Sequence, residues 1–414
     1  MSDTSPTVRL PGAVLTEHRF PVPLDHDRPD GEQLTVFARE VAAPDGGDRP
    51  YLVFLQGGPG GESPRPVPAT GQPGWLSRAL RDYRVLLLDQ RGTGLSTPVR
   101  SPGELSAPEL ADHLALFRAD SIVADCESIR AQLGVDRWSL LGQSFGGVCA
   151  LRSLSVAPHA LREAFFTGGL PPVGAVVDDI YHGTWRRMAE RNERYHARYP
   201  EDRARLRRLL ERADAGEVTL PHGERVTARR LRGLGNVLGM SDGAEHLHYL
   251  LERDPCSPAF RHDLGPALFT GRSPLYVLHN EPGYAEQQAP RWAAERTMPD
   301  AFRDDPTLLF GEHVFPWTFE DDAELAPWAE VADLLAQREW PALYDADVLR
   351  TVDVPCAAAV YAEDPYVLRE LSEQTAALLP RMSTWVTADH DHNALRAHGA
   401  AVLDRLFAMA RDRA

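Results

Sequence analysis

The sequence predicts an α/β protein: a mostly parallel β-sheet with helices on both faces, broken by one large helical insertion. Three observations predict it. Short continuous apolar runs ("YLVFL", "YRVLLLD", "RWSLLG", "AAAVY") end in glycine or a carboxylate, as strands buried on both faces do. Helical periodicity separates these runs, and strands alternating with helices build parallel sheets. From about residue 171 to 346 the apolar runs stop, and charged helical pattern takes their place.

The elements follow in order. The first fifty residues alternate and carry Pro/Asp/Gly turns ("HRFPVPLDHDRPDGEQLTVFAREVAAPDGG"), which predicts antiparallel strands. "YLVFLQGGPGG" is a buried strand running into glycines, "GWLSRALRD" a helix, and "YRVLLLDQRGTGLS" a second buried strand. "PELADHLALFRADSIVADCESIRAQLG" predicts one helix capped by Gly134. "RWSLLG" and "LREAFFTGGL" are strands flanking the helix "VCALRSLSVA". After the insertion, "VPCAAAVYAED" returns to a buried strand. "MSTWVTADHDHNALRAHG" gives strand, loop and helix, and "AAVLDRLFAMARD" a final amphipathic helix. The expected organisation is a sheet domain over 1–170 and 347–414, with a helical domain over 171–346.

Composition narrows the function classes. The chain of 414 residues carries a formal charge of −16, and its 44 basic residues are all arginine. Such an acidic surface argues against nucleic acid and anionic membranes as partners. The four cysteines, Cys126, Cys149, Cys256 and Cys356, are widely spaced with no CxxC or Cys/His grouping, so no metal is expected. Cys149 and Cys356 lie in apolar surroundings and are expected to be buried. The first residues show no apolar leader core, and no apolar run reaches membrane-spanning length. A cytoplasmic protein with reduced thiols is the expectation.

The chemistry centres on "LLGQSFGGV", where Gly142-x-Ser144-x-Gly146 joins a strand to a helix. Such a turn needs small residues where backbones crowd, and it lifts the central side chain out of the sheet. That is the nucleophile elbow of an α/β-hydrolase. A dinucleotide-binding turn would read G-x-G-x-x-G near the first strand, and Gln143 and Ser144 break that spacing. A serine hydroxyl needs a base, and in this fold the acid and then the histidine follow in chain order. Glu363 and Asp364 follow "AAAVY"; His390 and His392 follow "TWVTA", and His392 is the favoured base. Oxyanion donors are expected from the Phe145 N–H and from the glycine loop after an earlier strand, Gln56 to Gly61.

Taken together, "LQGGPGG", "LLLDQRGTGLS", "GQSFGG", "VYAEDPYV" and "DHDHNALR" resemble the proline iminopeptidase (prolyl aminopeptidase) family of α/β-hydrolases, in its longer subgroup. The likeness runs from about residue 17 to 405, and the GGPG loop with DQRGxGxS is its most particular part. The resemblance implies that Ser144 is the nucleophile, Asp364 the acid and His392 the base, with Gly57, Gly58 and Phe145 at the oxyanion. It implies that Glu281 in "HNEPGY", and secondarily Glu312 in "GEHVF", hold the free amino end of a small peptide substrate. Tyr284, Trp292, Phe315 and Trp317 are candidate walls of a pyrrolidine pocket. No cofactor is implied. The chain departs from many members by having Gln56 in place of histidine, by "HNEPGY" and by "EDPY".

Two other functions fit the same elbow: an esterase or amidase using the same triad, and a non-catalytic ligand-binding protein of hydrolase fold. Dehalogenases and epoxide hydrolases carry aspartate where this chain has Ser144. The jump from Ser144 to Asp364 spans 364 − 144 = 220 residues, and the helical surplus within it is expected to lie over the nucleophile as a lid.

Overall fold

Nine strands form one sheet in the computed structural model, which describes residues 6–268 and 270–412. Met1–Ser5, part of the stretch read above for a leader, lie outside them. The strands are β1 (Thr7–Leu10), β2 (Ala13–Pro23), β3 (Gln33–Ala42), β4 (Tyr51–Leu55), β5 (Arg84–Asp89), β6 (Trp138–Gln143), β7 (Leu161–Thr167), β8 (Cys356–Tyr361) and β9 (Met382–Thr387). Their order is β1-β2-β3-β5-β4-β6-β7-β8-β9. The first three pair antiparallel, β3 also against β5, and every contact from β5 to β9 is parallel. Strands β4 and β8 are buried along their whole length, which is why they read as unbroken apolar runs.

The chain leaves β4 for β5 on one side and returns with β6 on the other. Where strand order reverses in this way, the carboxyl ends open a crevice in which ligands bind. The register sets Leu55 beside Gly142, so the glycine loop after β4 and the serine turn after β6 emerge side by side.

Helices cover the sheet. On one face, helix α1 (Leu76–Ala79) and the C-terminal helix Ala394–Arg411 pack Trp75, Leu76, Leu403 and Phe407 against Phe54, Leu87 and Phe165. The C-terminal segment Ala394–Arg411 is two helices joined across a kink at non-helical His398 (φ −135°, ψ 31°), and the sequence predicted two helices there. The long helix predicted before Gly134 is also two: α2 (Ala107–Ala115) and α3 (Ala119–Gln132). Two buried arginines impose the break. Arg91 Nη1 takes the Leu116 carbonyl at 2.6 Å, and Arg118, extended at φ −78°, ψ 173°, bonds Asp120 and the Pro341 carbonyl. Gly134, at φ 65°, caps α3 as predicted. Helix α4 (Phe145–Val156) follows the serine turn. Cys126, Cys149 and Cys356 are buried, Cys256 is exposed, and all four are free thiols.

The chain divides into two compact units, residues 1–174, 341–362 and 369–414, and residues 175–340 with 363–368. The main segment of the second unit runs over 175–340, where the sequence predicts 171–346, and the unit also includes the short segment Glu363–Leu368. Its described residues form helices and loops with isolated bridges but no strand. Helix α5 (Val177–Arg198) buries Trp185 against Phe302 and His313, with ring centroids 4.7 and 3.7 Å away. At the start of α6 (Asp202–Asp214), buried Asp202 accepts from Tyr195 Oη and Arg205 and pairs with His248 Nδ1, tying three parts of the chain together. Among the described residues, no helix is long and apolar enough to cross a membrane.

One buried ion pair stabilises the first unit's entry strands. Arg91 is fully buried; it grips both oxygens of Asp125 and takes the carbonyls of Pro23, Leu24 and Leu116. Asp125→Ala would strand that guanidinium and is expected to cost about 3–5 kcal/mol. A urea midpoint within error of the parent would contradict this.

Candidate active site

Ser144 stands at the turn from β6 into α4 with φ 54°, ψ −118°, a left-handed conformation that a non-glycine residue adopts only under constraint. Its neighbours supply the constraint. A Cβ on Gly142 would lie 2.4 Å from the Gly146 carbonyl oxygen, and one on Gly146 would lie 1.9 Å from that of Leu55. Only glycines let the turn close this tightly against β4. The Ser144 N–H donates to the Thr167 carbonyl at 2.8 Å, which fixes the serine backbone to the end of β7.

His392 Nε2 lies 2.9 Å from Ser144 Oγ. The loop that carries it is held from below: Gln143 Nε2 donates to the His392 carbonyl at 3.3 Å, and buried Thr167 donates its hydroxyl to Gln143 Oε1. Gly168, at φ 80°, has room for no side chain, because a Cβ would come within 2.9 Å of His392 Cε1. His390 sits elsewhere, its ring 5.5 Å from Trp385 and 4.9 Å from His398. Gln143 and Thr167 were not singled out from the sequence. The available signal was the position of Gln143 directly before the serine.

The glycine loop packs on this turn. A Cβ at Gly57 would meet the Gln143 carbonyl oxygen at 3.0 Å and Ser144 Cβ at 3.1 Å. Gly58 takes φ 124°, a conformation open to glycine. Phe145 is buried and opens α4, where the first N–H groups of a helix have no acceptor within it.

The remaining candidates belong to the second unit. Asp364 is buried, and its Oδ1 accepts the N–H groups of Tyr366 and Val367 at 2.9 and 3.1 Å. Glu363 is exposed enough to pair with Arg194, while its carbonyl accepts from Arg191. Glu281 is only 3% exposed. Its Oε1 accepts the Ala294 N–H at 2.9 Å, and its Oε2 is buried with no partner among the described residues. Burial pushes its carboxyl up to about 7, against the pull of the Ala294, Ala293 and Trp292 N–H groups and of Arg296.

Glu312 is half-buried and accepts the Tyr276 hydroxyl at 3.0 Å. It lines two cavities, one with Phe315 and Trp317, the other with Tyr181, Tyr284 and Tyr366. Trp292 lines neither; its indole bonds Asp333 and packs edge-on to Phe319. Beside Glu312, buried His313 is held neutral, its acidity pushed to about 3 by burial. The Gly311 N–H donates to His313 Nδ1, which leaves the proton on Nε2, 3.1 Å from Thr184 Oγ1.

A serine on a strained strand-to-helix turn, paired with a histidine at the carboxyl edge of a parallel sheet, defines an α/β-hydrolase, and residues 50–214 match the family model for the alpha/beta hydrolase fold. The chain is 43% identical to a proline iminopeptidase of Aeromonas sobria, across 97% of this chain and 98% of that one. It is 33% identical to a proline iminopeptidase of Aspergillus aculeatus, across 97% and 95%. A probable proline iminopeptidase of Streptomyces coelicolor matches at 32% over 46% of this chain and 56% of its own. The chain belongs to the proline iminopeptidase family.

The environment of Glu281 has a measurable consequence. Its folded-state value of about 7 exceeds its ordinary 4.5, so the fold favours the protonated form. That contribution is complete below about pH 4.5 and is lost as pH rises through 7. Glu281→Gln mimics the protonated group and escapes the loss. The variant is expected to exceed the parent in stability by ~3 kcal/mol above pH 7, the gap closing toward pH 4.5. Denaturant melts of both proteins across this range check it; a gap that does not change with pH would refute it.

Proposed function

We propose that this protein is a serine aminopeptidase that releases N-terminal proline, or a similar residue, from small peptides through an acyl-enzyme. The observation that carries the reading is the 2.9 Å contact between Ser144 Oγ and His392 Nε2 on a strained elbow, in a chain 43% identical to a proline iminopeptidase over nearly its whole length.

His392 takes the Ser144 proton as Oγ attacks the prolyl carbonyl. The oxyanion forms against backbone N–H groups of Phe145 and of Gly57 or Gly58. Asp364 holds the imidazole tautomer and stabilises the imidazolium. The leaving amine takes the proton from His392. Water, activated by the same histidine, then frees proline and restores Ser144. Glu281, supported by Glu312, receives the protonated secondary amine of the substrate. A buried cation is costly without a facing anion, and the unpartnered Oε2 of Glu281 offers one.

Ser144→Ala is expected to abolish labelling by a fluorophosphonate and to lower turnover of a prolyl arylamide by roughly 10³ to 10⁶. His392→Ala should approach that loss while His390→Ala does not, and Asp364→Asn should cost far more than Glu363→Gln. Labelling of the Ser144→Ala protein at the parent rate would remove Ser144 from its role.

Glu281→Gln is expected to reduce kcat/KM for prolyl arylamides well over tenfold, because removing one partner of a buried charge pair costs about 2–5 kcal/mol. Labelling of Ser144 by an uncharged phosphonate should survive. N-acetylprolyl arylamide should be a poor substrate for the parent protein. Equal turnover of the acetylated and free-amine substrates would replace the aminopeptidase by an esterase or amidase.

A further inference from the structure

The segment "DQRGTGLS" is the most particular part of the family likeness, yet none of its side chains has a role in the mechanism above. It begins on the last residue of β5, the neighbour of β4. Its first two residues reach across to both ends of the glycine loop that follows β4. At the near end, Gln90 Nε2 donates to the Gln56 carbonyl at 3.2 Å. At the far end, Asp89 Oδ1 accepts the Ser63 N–H at 3.1 Å, and Ser63 Oγ donates to the Leu88 carbonyl at 2.7 Å. Between these two anchors lie Gly57, Gly58, Pro59, Gly60, Gly61 and Glu62.

The rest of the segment holds the anchors still. Asp89 is fully buried. Beyond Ser63 its carboxylate accepts Arg65 Nη1 at 3.0 Å, Arg65 Nη2 at 2.7 Å and the Leu95 N–H at 2.9 Å. Gly94, at φ 53°, cannot carry a side chain, because a Cβ would lie 2.2 Å from Asp89 Oδ2. Ser96 donates to the Asp89 carbonyl at 2.6 Å and accepts the Phe37 N–H at 2.9 Å. Thr93 donates to the Gln90 carbonyl at 2.8 Å.

We propose that Asp89 and Gln90 are positioning residues that hold the Gly57–Gly61 loop against Ser144, and so fix the loop's backbone donors where the oxyanion develops. The inference rests on the reading of Ser144 as nucleophile. Four of the five residues Gly57–Gly61 are glycines, which carry no side chain to fix their position. Glycine backbone also loses the most freedom on ordering. A donor displaced by about 1 Å costs on the order of a hundredfold in rate, so such a loop needs anchors outside itself.

Gln90 offers the cleaner test. It is 1% exposed, and its Oε1 is buried without a partner among the described residues. A buried orphan acceptor is costly, so a role confined to folding would be served better by an apolar side chain of similar length. Gln90→Met removes both the orphan and the donation to Gln56. If the residue positions the loop, the variant loses rate without losing stability.

The experiment compares the parent with Gln90→Met and Asp89→Asn. It measures kcat and KM on a prolyl arylamide, the rate of Ser144 labelling by a fluorophosphonate, the affinity for a proline boronic acid, and the melting temperature. For Gln90→Met, kcat and the labelling rate are expected to fall roughly ten- to hundredfold while KM stays within about twofold. The boronate, which mimics the tetrahedral oxyanion, should weaken in parallel, and the melting temperature should hold or rise. Asp89→Asn should show the same pattern with a lower melting temperature, since Arg65 loses its counter-ion. Labelling and boronate binding by Gln90→Met within about twofold of the parent would overturn the proposal, as would a change confined to KM. A parent protein that labels at Ser144 but ignores prolyl arylamides would defeat the substrate reading alone, and the labelling rates would still decide the role of Gln90.

Discussion

The close approach of β4 and β6 at their carboxyl ends is the constraint on which the catalytic geometry depends. Two parallel strands can sit this near only if the turn after one of them carries no side chains toward the other. Gly146 meets that condition against the Leu55 carbonyl, and Gly142 meets it against Gly146. Once the turn is closed, Ser144 has nowhere to go but the strained conformation at φ 54°. The hydroxyl is thereby raised above the sheet, next to the loop that leaves β4. Strain of this kind costs about 1–3 kcal/mol and persists because buried neighbours over-determine it. The packing of β4, β6 and β7, all apolar toward the core, supplies that determination.

His392 and Asp364, the base and the acid of the proposed mechanism, are positioned by different means. His392 is set by the sheet: Gln143 bonds its carbonyl, Thr167 holds Gln143 in turn, and Gly168 leaves space for its ring. Asp364 is set by its own loop, whose N–H groups orient one carboxylate oxygen. That loop packs with the helical unit. Tyr366 accepts the Gly239 N–H at 3.0 Å and donates to the Asn236 carbonyl, Arg191 takes the Glu363 carbonyl, and Leu368 fills the space that a side chain at Gly183 would need. Under the proposed mechanism, the acid acts through the tautomer of His392, so its loop is a sensitive part of the helical unit even without touching substrate.

The mostly parallel sheet and the serine turn were legible because buried parallel strands and glycine-bounded elbows leave dense local patterns; the strand order was not read from the sequence. Gly134 and the glycines around Ser144 could be read one by one. The break at residues 116–118 could not, since it is made by Arg91, 25 residues away from the carbonyl it takes. The same holds for the placement of Glu363–Leu368, which depends on partners more than a hundred residues distant. The preference for His392 over His390 comes from the family likeness, since both follow the last strand; tertiary packing puts His392 beside Ser144 and His390 against Trp385. Trp292, named as a candidate pocket wall from its place in the insertion, packs edge-on to Phe319.

Glu281 shows why a peptidase of this kind would read a free amino end. A carboxylate with one oxygen bonded to a backbone N–H and the other buried and unpaired is poorly solvated when ionised. Near neutral pH it therefore stands close to half-protonated, its acidity displaced to about 7 by burial. Under the proposed function, a protonated proline nitrogen would supply both the charge and the hydrogen-bond donor that the orphan oxygen lacks, and binding would drive Glu281 to its ionised form with release of a proton. An acetylated nitrogen supplies neither, and its amide carbonyl would face a carboxyl oxygen. On that reading, selectivity for the free amine follows from the unsatisfied Oε2 of Glu281: the substrate's cation would relieve a desolvation cost already present in the folded protein.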